Sequence, residues 1–275
     1  MKLGIHLRNM GPQSTLETLR ACALAAEDAG IDDVWVADHI AIPREESEGS
    51  GGRYLDPLAT LAFLAGATSR VGLGTGVLVL PYRPPLATAK WVATVQELSG
   101  GRMLLGVGAG WMRAEFEAVG VPLAARGRVT DDTLAFLARC FADDEVESNG
   151  RRFLFLPRPP RPPILVGGAP PHAFRRALAW GDGWMPTGAP DPARLAAPIA
   201  ELQERAAAGG KPTPEIALLT SLPLGEPDAA GETIAQLAAI GVTRVVHGSR
   251  YRDAAELADS ARALVEIGCR AGVAE

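Results

Sequence analysis

The sequence is poor in the residues on which several classes of protein depend. It has 3 cysteines and 4 histidines among 275 residues, and aromatic side chains make up 5% of it. Cys22, Cys140 and Cys269 show no metal-ligand or redox spacing, and each falls in an apolar helical pattern. We therefore expect three buried, reduced thiols, the state that is typical of the cytoplasm.

Two further absences concern charge and long apolar runs. With 27 basic against 32 acidic side chains, a net charge of −5 and a pI near 5.5, the chain offers no basic field for phosphates, which argues against a nucleic-acid partner. The apolar stretch 71–82 is too short to span a bilayer, and the first residues are typical of a strand rather than a signal segment. We predict a cytoplasmic protein that binds neither nucleic acid nor membrane.

What the sequence does have is a regular alternation of short β runs and amphipathic helices, within a globular composition of 47% hydrophobic residues. The predicted strands are 2–7, 34–37, 71–80, 103–107, 164–166, 183–185, 216–220 and 243–247. The predicted helices begin near residue 14 or 15 and end at Gly30, then follow at 56–69, 84–98, 130–141, 171–180, 192–208, 229–240 and 253–267. Eight such units predict an α/β fold, a single (β/α)8 TIM barrel over residues 1–275. A doubly wound open sheet is the alternative.

One segment departs from this alternation. Residues 147–152 contain Asn149-Gly150, a dipeptide typical of a two-residue hairpin turn. We expect a helix-and-hairpin insertion between the fourth and fifth strands.

Catalytic groups of a barrel follow the carboxyl ends of its strands. Asp38 and His39 come directly after the second strand, and histidine is the side chain best suited to exchange protons near neutral pH. The pair alone also fits a capping aspartate beside a half-exposed surface histidine.

Glycines mark two more strand ends. Gly72, Gly74 and Gly76 recur at every second position of the third strand, which indicates either a close approach of backbone to ligand or tight packing. The fourth strand runs into 106–111, a glycine-rich segment without the spacing of a dinucleotide loop, and Trp111 could be a flat cofactor wall or an ordinary packing residue.

The fifth strand precedes a candidate anion site. Gly167 and Gly168 leave the backbone N–H groups free just before a helix, whose N-terminus favours a phosphate. Arg175 and Arg176 follow in or near the first turn, where an anion would offset their repulsion by the helix dipole. A plain turn with two exposed arginines is the alternative.

The sequence lacks the residues that several other kinds of catalysis require. A metal-dependent barrel hydrolase needs paired histidines on its first strand, where only His6 stands, and there is no Gly-x-Ser-x-Gly elbow for acyl transfer. Lys2, Lys90 and Lys211 are poorly placed for a Schiff base. No metal site is predicted, and the chemistry is expected to belong to an organic cofactor.

The order of the motifs resembles the bacterial luciferase-like family, and specifically its oxidoreductases that depend on coenzyme F420, a deazaflavin. The motifs are Ala29-Gly30, 34–39, 74–77, 98–102, 106–111 with Glu115-Phe116, 166–168 and 181–184. They span roughly the first two-thirds of the chain. The resemblance implies a (β/α)8 barrel with a helix-and-hairpin insertion.

The resemblance also implies roles for residues. His39 would be the catalytic acid/base and Asp38 would bond the ring; Gly76-Val77 would be a non-proline cis peptide beneath the ring. Gly167 and Gly168 would bind the cofactor phosphate. The predicted cofactor-binding set is completed by Thr75, Gly108, Gly110 and Ala169.

The sequence departs from the family's alcohol and sugar-phosphate dehydrogenases in two places. Pro43 and Trp111 stand where those enzymes have a tryptophan and a glutamate, which argues against a sugar-phosphate dehydrogenase.

Three functions remain open. The first is hydride transfer between F420 and a small organic substrate, with Arg44, Arg53, Arg113 and Arg175 as candidates to meet the acidic tail of the coenzyme. The second is an FMN-dependent monooxygenase that uses oxygen, and the third is a barrel that has lost catalysis. A homodimer is expected, and His247 either lines the substrate pocket or is a half-buried residue at a strand end.

Overall fold

Parallel strands form a closed barrel in the computed structural model, which describes residues 1–47 and 49–274. The strands are β1 (Lys2–His6), β2 (Asp33–Val36), β3 (Gly72–Thr75), β4 (Leu78–Val79), β5 (Met103–Gly108), β6 (Glu145–Ser148), β7 (Arg151–Leu154), β8 (Ile164–Gly167), β9 (Gly183–Met185), β10 (Glu215–Thr220) and β11 (Arg244–His247). The barrel order is β1-β2-β3-β5-β8-β9-β10-β11, and β11 pairs with β1 to close it. All these pairings are parallel, as a (β/α)8 barrel requires.

Helices follow the strands in chain order and surround the barrel. They are α1 (Leu16–Asp28), α2 (Pro57–Ala67), α3 (Pro85–Leu98), α4 (Arg113–Val119), α5 (Arg126–Ala142), α6 (His172–Trp180), α7 (Pro192–Ala208), α8 (Pro227–Ala239) and α9 (Ala254–Arg270). Polar side chains cap several of them: Thr15, Asp191 and Asp253 accept hydrogen bonds from the first free N–H groups of α1, α7 and α9. None of the helices in the described residues is long and apolar enough to cross a membrane.

The core has two layers because barrel strands bury both of their faces. The outer layer lies between strands and helices, and the inner cluster, inside the barrel, consists of Trp35, Leu165, Met185, Ala217 and Val246. Every residue of β2 and of β11 is buried. The barrel interior is therefore filled, and a ligand has room only at its ends.

The predicted barrel and its insertion are confirmed. α4, α5 and the antiparallel hairpin β6–β7 lie between β5 and β8, and the turn residues Asn149 and Gly150 have φ of 50° and 71°. Such paired positive φ angles match the twist of a two-residue hairpin.

Some predicted boundaries and one predicted burial are wrong. The third strand does not run unbroken to Leu80: β3 ends at Thr75, and β4 begins after Gly76-Val77. α4 was not predicted, because its seven residues are too few to show a helical period. Cys269 is exposed, whereas Cys22 and Cys140 are buried; the neighbouring Ile267 and Gly268 of α9 are buried, so Cys269 lies on the outer face of that helix.

Candidate active site

A cavity of about 840 Å³ opens at the carboxyl ends of the strands. Its lining includes every predicted site residue except Thr75: Asp38, His39, Gly76, Val77, Gly108, Gly110, Gly167, Gly168 and Ala169. These residues end or follow β2, β3, β5 and β8, so the topology of the barrel brings together segments that are far apart in sequence. Their roles stay predictions, but their proximity is a property of the fold.

Backbone rather than side chains forms one wall of this cavity. The Gly76–Val77 peptide bond is cis, as the resemblance implies. A Cβ on Gly108 would lie 2.6 Å from Cγ2 of Val77, which leaves no space for a side chain there. Thr75 does not line the cavity, because its hydroxyl is buried and donates to the carbonyl oxygen of Gly106 at 2.7 Å. Thr75 therefore stabilises the backbone behind the glycine wall rather than contacting the cavity.

His39 is held by a carboxylate that the sequence analysis did not assign to the site. Nδ1 of His39 lies 3.1 Å from Oε2 of Glu115, which is on α4 and fully buried. The ring of Tyr54 packs against the imidazole at 4.9 Å, and the edge of Trp111 lies 6.4 Å away, measured between ring centroids. Trp111 stands where the family's alcohol and sugar-phosphate dehydrogenases have a glutamate, but the structure places Glu115, four residues further along the chain, beside His39.

Glu115 is kept ionised by an unusually full set of donors. Oε1 accepts from the N–H groups of Ile40 at 2.6 Å and Ala41 at 3.1 Å, while Oε2 accepts from the hydroxyl of Tyr82 at 2.7 Å as well as from His39. Burial alone would raise the pKa of Glu115, but these hydrogen bonds outweigh it and lower the pKa to about 2. Burial and the contact with Glu115 raise the pKa of Tyr82, so the phenol stays a donor.

The ionised carboxylate decides which nitrogen of His39 is available. A carboxylate can only accept, so Nδ1 carries the proton that it donates to Glu115. Nε2 makes no hydrogen bond to any residue that the structure describes, and His39 lines the cavity. This arrangement leaves Nε2 as the ring nitrogen without a partner among the described residues, on a side chain whose type is suited to proton exchange near neutral pH.

The adjacent Asp38 is committed to the protein. Oδ2 accepts from the N–H of Val79 at 2.8 Å and from Nη1 of Arg83 at 2.6 Å, and Oδ1 accepts from Nη2 of Arg83 at 2.8 Å. Arg83 is itself buried and also donates to Asp56 at 2.7 Å. Burial opposes the charge of Arg83, but the hydrogen bonds to both aspartates raise its pKa, so it stays charged.

The far end of the cavity is positively charged. Arg126, Arg128, Arg175 and Arg176 line it together with Asp131, which pairs with Arg175 and Arg176 at 2.6 Å each. Arg128 pairs with Asp132 at 3.1 Å, and Arg126 donates to a backbone carbonyl. Four guanidinium groups thus face two carboxylates, beside the first turn of α6. Arg176 is buried, contrary to the alternative of two exposed arginines.

Other candidates from the sequence lie elsewhere. Arg44, Arg53 and Arg113 do not line the cavity, and the guanidinium of Arg53 bonds to Ser14. His247 is buried, and its Nδ1 accepts from the N–H of Leu222 at 3.1 Å, so the alternative of a residue at a strand end describes it better. Within the described residues, no group of three or more side chains is arranged to hold a metal ion.

Comparisons with known proteins identify the family of the chain and agree with its fold. The profile of the luciferase-like monooxygenase family matches residues 1–271. An uncharacterized protein of Mycobacterium tuberculosis is 32% identical over 270 residues, 90% of this chain and 92% of that protein. An F420-dependent glucose-6-phosphate dehydrogenase of Amycolatopsis mediterranei is 30% identical over 187 residues, 64% of this chain and 54% of the enzyme. The crystal structure of monooxygenase RslO1 from Streptomyces bottropensis superimposes with a TM-score of 0.80 at 23% identity, covering 98% of each chain, and so shares the fold.

Proposed function

The chain belongs to the luciferase-like monooxygenase family, and we propose that within this family it is an F420-dependent oxidoreductase that exchanges a hydride with a small organic substrate. The observation that carries the proposal is the charge at one end of the cavity. Arg126, Arg128, Arg175 and Arg176 line the cavity, and with Asp131 and Asp132 as their partners they leave two positive charges in excess, in addition to the N-terminus of α6. F420 has a long acidic tail after its phosphate and FMN has none, so these arginines favour the deazaflavin.

The opposite end of the cavity fits a flat ring. The wall there is built from Gly76, Val77, Gly108 and Gly110, and a Cβ on Gly110 would come within 2.6 Å of Val79. A surface with so few side chains lets a planar group lie against backbone. Similarity to the F420-dependent dehydrogenase of Amycolatopsis mediterranei supports the same cofactor.

The residues of the chain supply the acid–base part of the reaction. Bound F420 would supply or accept the hydride. His39 would give or take the accompanying proton at Nε2, while Glu115 stabilises the imidazolium that exists when both nitrogens carry protons. Tyr54 and Trp111 limit the positions that the ring of His39 can adopt.

Fluorescence titration of the purified protein with F420, with FMN and with the deazaflavin chromophore that lacks phosphate and tail tests the proposal. The double variant Arg126→Gln/Arg128→Gln should bind F420 roughly tenfold more weakly, because each exposed charge contributes up to about 1 kcal/mol, and the tail-free chromophore as tightly as before. Arg113→Gln, an exposed arginine outside the cavity, is the matched control.

Tight binding of FMN with no binding of F420 would overturn the proposal in favour of the monooxygenase alternative. Equal binding of F420 by the native protein and the double variant would remove the charge argument. A homodimer and a cytoplasmic location stay predictions.

A further inference from the structure

Asn9 is a buried polar residue to which the function proposed above gives no role. It follows β1, it is fully buried, and it stands outside the described lining of the cavity. Its side-chain amide makes three hydrogen bonds to the backbone of described residues. Oδ1 accepts from the N–H of Ala37 at 3.0 Å, and Nδ2 donates to the carbonyl oxygens of Ala37 at 2.8 Å and of Leu55 at 2.9 Å. Both hydrogens of the amide are therefore used, each on a different residue.

Ala37 lies where the ladder of β2 ends. β2 runs to Val36, whose carbonyl oxygen still accepts from the N–H of Gly76 at 2.9 Å. One residue later, the amide of Asn9 binds both the N–H and the carbonyl oxygen of Ala37, in place of a neighbouring strand. Ala37 lines the cavity, and His39 is two residues further along the chain. The two bonds to Ala37 therefore fix the direction in which the chain leaves β2 toward His39.

Asn9 also fixes the segment that carries Tyr54. Leu55 is held twice, because its carbonyl oxygen accepts from Nδ2 of Asn9 and its N–H donates to the carbonyl oxygen of Asn9 at 2.9 Å. The adjacent residues Met10 and Tyr54 form an antiparallel bridge. The ring of Tyr54 packs against the imidazole of His39, with 4.9 Å between the ring centroids. The residue that holds the chain before His39 thus also holds the ring that packs on it.

Glu115 holds the chain on the other side of His39. Its carboxylate accepts from Nδ1 of the imidazole and from the N–H groups of Ile40 and Ala41, the two residues that follow His39. His39 therefore lies between two anchors from different parts of the fold, a carboxylate on α4 and an amide just beyond β1. A catalytic group that is misplaced by about 1 Å can lose up to about 10²-fold in rate, so the position that these anchors set matters for the reaction.

From these contacts we infer that Asn9 is a positioning residue for His39. Its buried amide sets the place of the imidazole by holding Ala37, which precedes His39 in the chain. It also holds Leu55, and thereby the ring of the adjacent Tyr54 that packs on the imidazole. The inference rests on the proposed function for the acid–base role of His39, whereas the hold on the ring is a property of the protein without a cofactor. Asn9 thus acts through His39 rather than on the substrate.

NMR of Asn9→Ala and Asn9→Asp, in the protein without a cofactor, tests the inference. Alanine removes all three hydrogen bonds; aspartate keeps the shape of the residue but offers at most one donor, where the amide offers two. In both variants the nuclear Overhauser effect between the rings of His39 and Tyr54 should weaken. The Nδ1 proton of His39 should exchange with water roughly tenfold faster, the change expected when one hydrogen bond between neutral groups no longer holds the ring. Asn9→Asp gives the answer by itself if Asn9→Ala does not fold.

Gln96→Ala is the matched control, because Gln96 is another buried amide whose side chain bonds backbone. Its Nε2 donates to the carbonyl oxygen of Pro160 at 3.0 Å, and its Oε1 accepts from the N–H of Met103 at 3.1 Å. Met103 begins β5, so these bonds lie at the opposite end of the barrel from the cavity. Asn9→Ala should lower Tm by about 5 °C and Gln96→Ala by a comparable amount, but the control should change neither the ring contact nor the proton exchange of His39.

Two results would overturn the inference. One is a folded variant of Asn9 in which the ring contact and the proton exchange of His39 stay as they are in the native protein. The other is an equal change of both signals in Gln96→Ala, which would show that they follow general stability instead of the hold on the ring. Failure of the native protein to bind F420 counts against the proposed function alone, because the NMR measurements need no cofactor.

Discussion

Replacement of Glu115 by glutamine tests the interpretation of the site most directly. The carboxylate is buried, accepts four hydrogen bonds and has its pKa lowered from 4.5 to about 2. A shift of that size corresponds to at most about 3 kcal/mol of stabilisation, and because the oxygen of glutamine still accepts from Ile40 and Ala41, the expected net loss is about 2 kcal/mol. At an unfolding entropy of about 2.1 cal/mol/K per residue, Glu115→Gln should lower Tm by about 4 °C at neutral pH.

The loss of stability in Glu115→Gln should depend on pH in a definite direction. Because the folded pKa lies below the unfolded value, the stabilisation is fully present above pH 4.5 and is lost as the pH falls from 4.5 toward 2. Glutamine does not titrate, so the difference in unfolding free energy between native protein and variant should shrink over that window and be nearly gone at pH 2.

The variant also changes His39. The amide can accept from Ile40 and Ala41 with its oxygen, but its NH₂ group then faces Nδ1 of His39, which would have to become an acceptor. Ring ¹⁵N spectra should show the proton of neutral His39 on Nε2 in the variant and on Nδ1 in the native protein. Glu117→Gln, an exposed change on the same helix, should alter neither Tm nor tautomer. Unchanged Tm together with an unchanged tautomer in Glu115→Gln would refute the role given to the carboxylate.

Two further predictions concern buried groups outside the candidate site. Burial lowers the pKa of His247 to about 4, so the stability gained by burying the neutral ring is present above pH 6.5 and is lost as the pH falls toward 4. In denaturant titrations over that range, His247→Phe should lose less stability on acidification than the native protein, and an equal loss would contradict the argument. Burial raises the pKa values of Cys22 and Cys140 to about 11, so a thiol reagent should titrate only exposed Cys269 in the native protein and all three after denaturation; rapid reaction of more than one native thiol would contradict the packing.

The repeating part of the fold could be predicted because its signals are local. Apolar periodicity, Gly30 after α1 and the Asn149-Gly150 turn each specify a short segment, and eight strand–helix units in 275 residues leave few architectures. The broken third strand could not be predicted in the same way. Val77 and Leu78 have the composition of a continuous strand, and only the structure shows that pairing with β5 stops at Gly74 and resumes at Leu78 in β4.

The candidate site was predictable where glycines or polar residues directly follow a strand, as at Gly76, Gly167 and the Asp38-His39 pair. Glycines at strand ends pointed to the wall, because a Cβ on Gly108 or Gly110 would have no room, and to the turn at Gly168, whose φ of 103° favours glycine. Glu115 and Arg83 are ordinary charged residues in sequence, 76 and 45 positions away from the His39 and Asp38 that they bind. A buried charge has no local pattern; it is recognised only when its partners are brought beside it.

The contacts of Asp38 explain why Asp38 and His39 stand next to each other in the sequence. Asp38 binds Val79 and Arg83, which begin and end a segment that also contains Tyr82. Tyr82 donates to Glu115, and Glu115 accepts from His39, so the contacts return to the residue next to Asp38. Asp38 and His39, at the end of β2, are thus both held by the segment 79–83: Asp38 directly, and His39 through Glu115. Because Asp38 fixes that segment, its carboxylate helps to hold the ring of His39 in place through Tyr82 and Glu115, even while Arg83 occupies both of its oxygens.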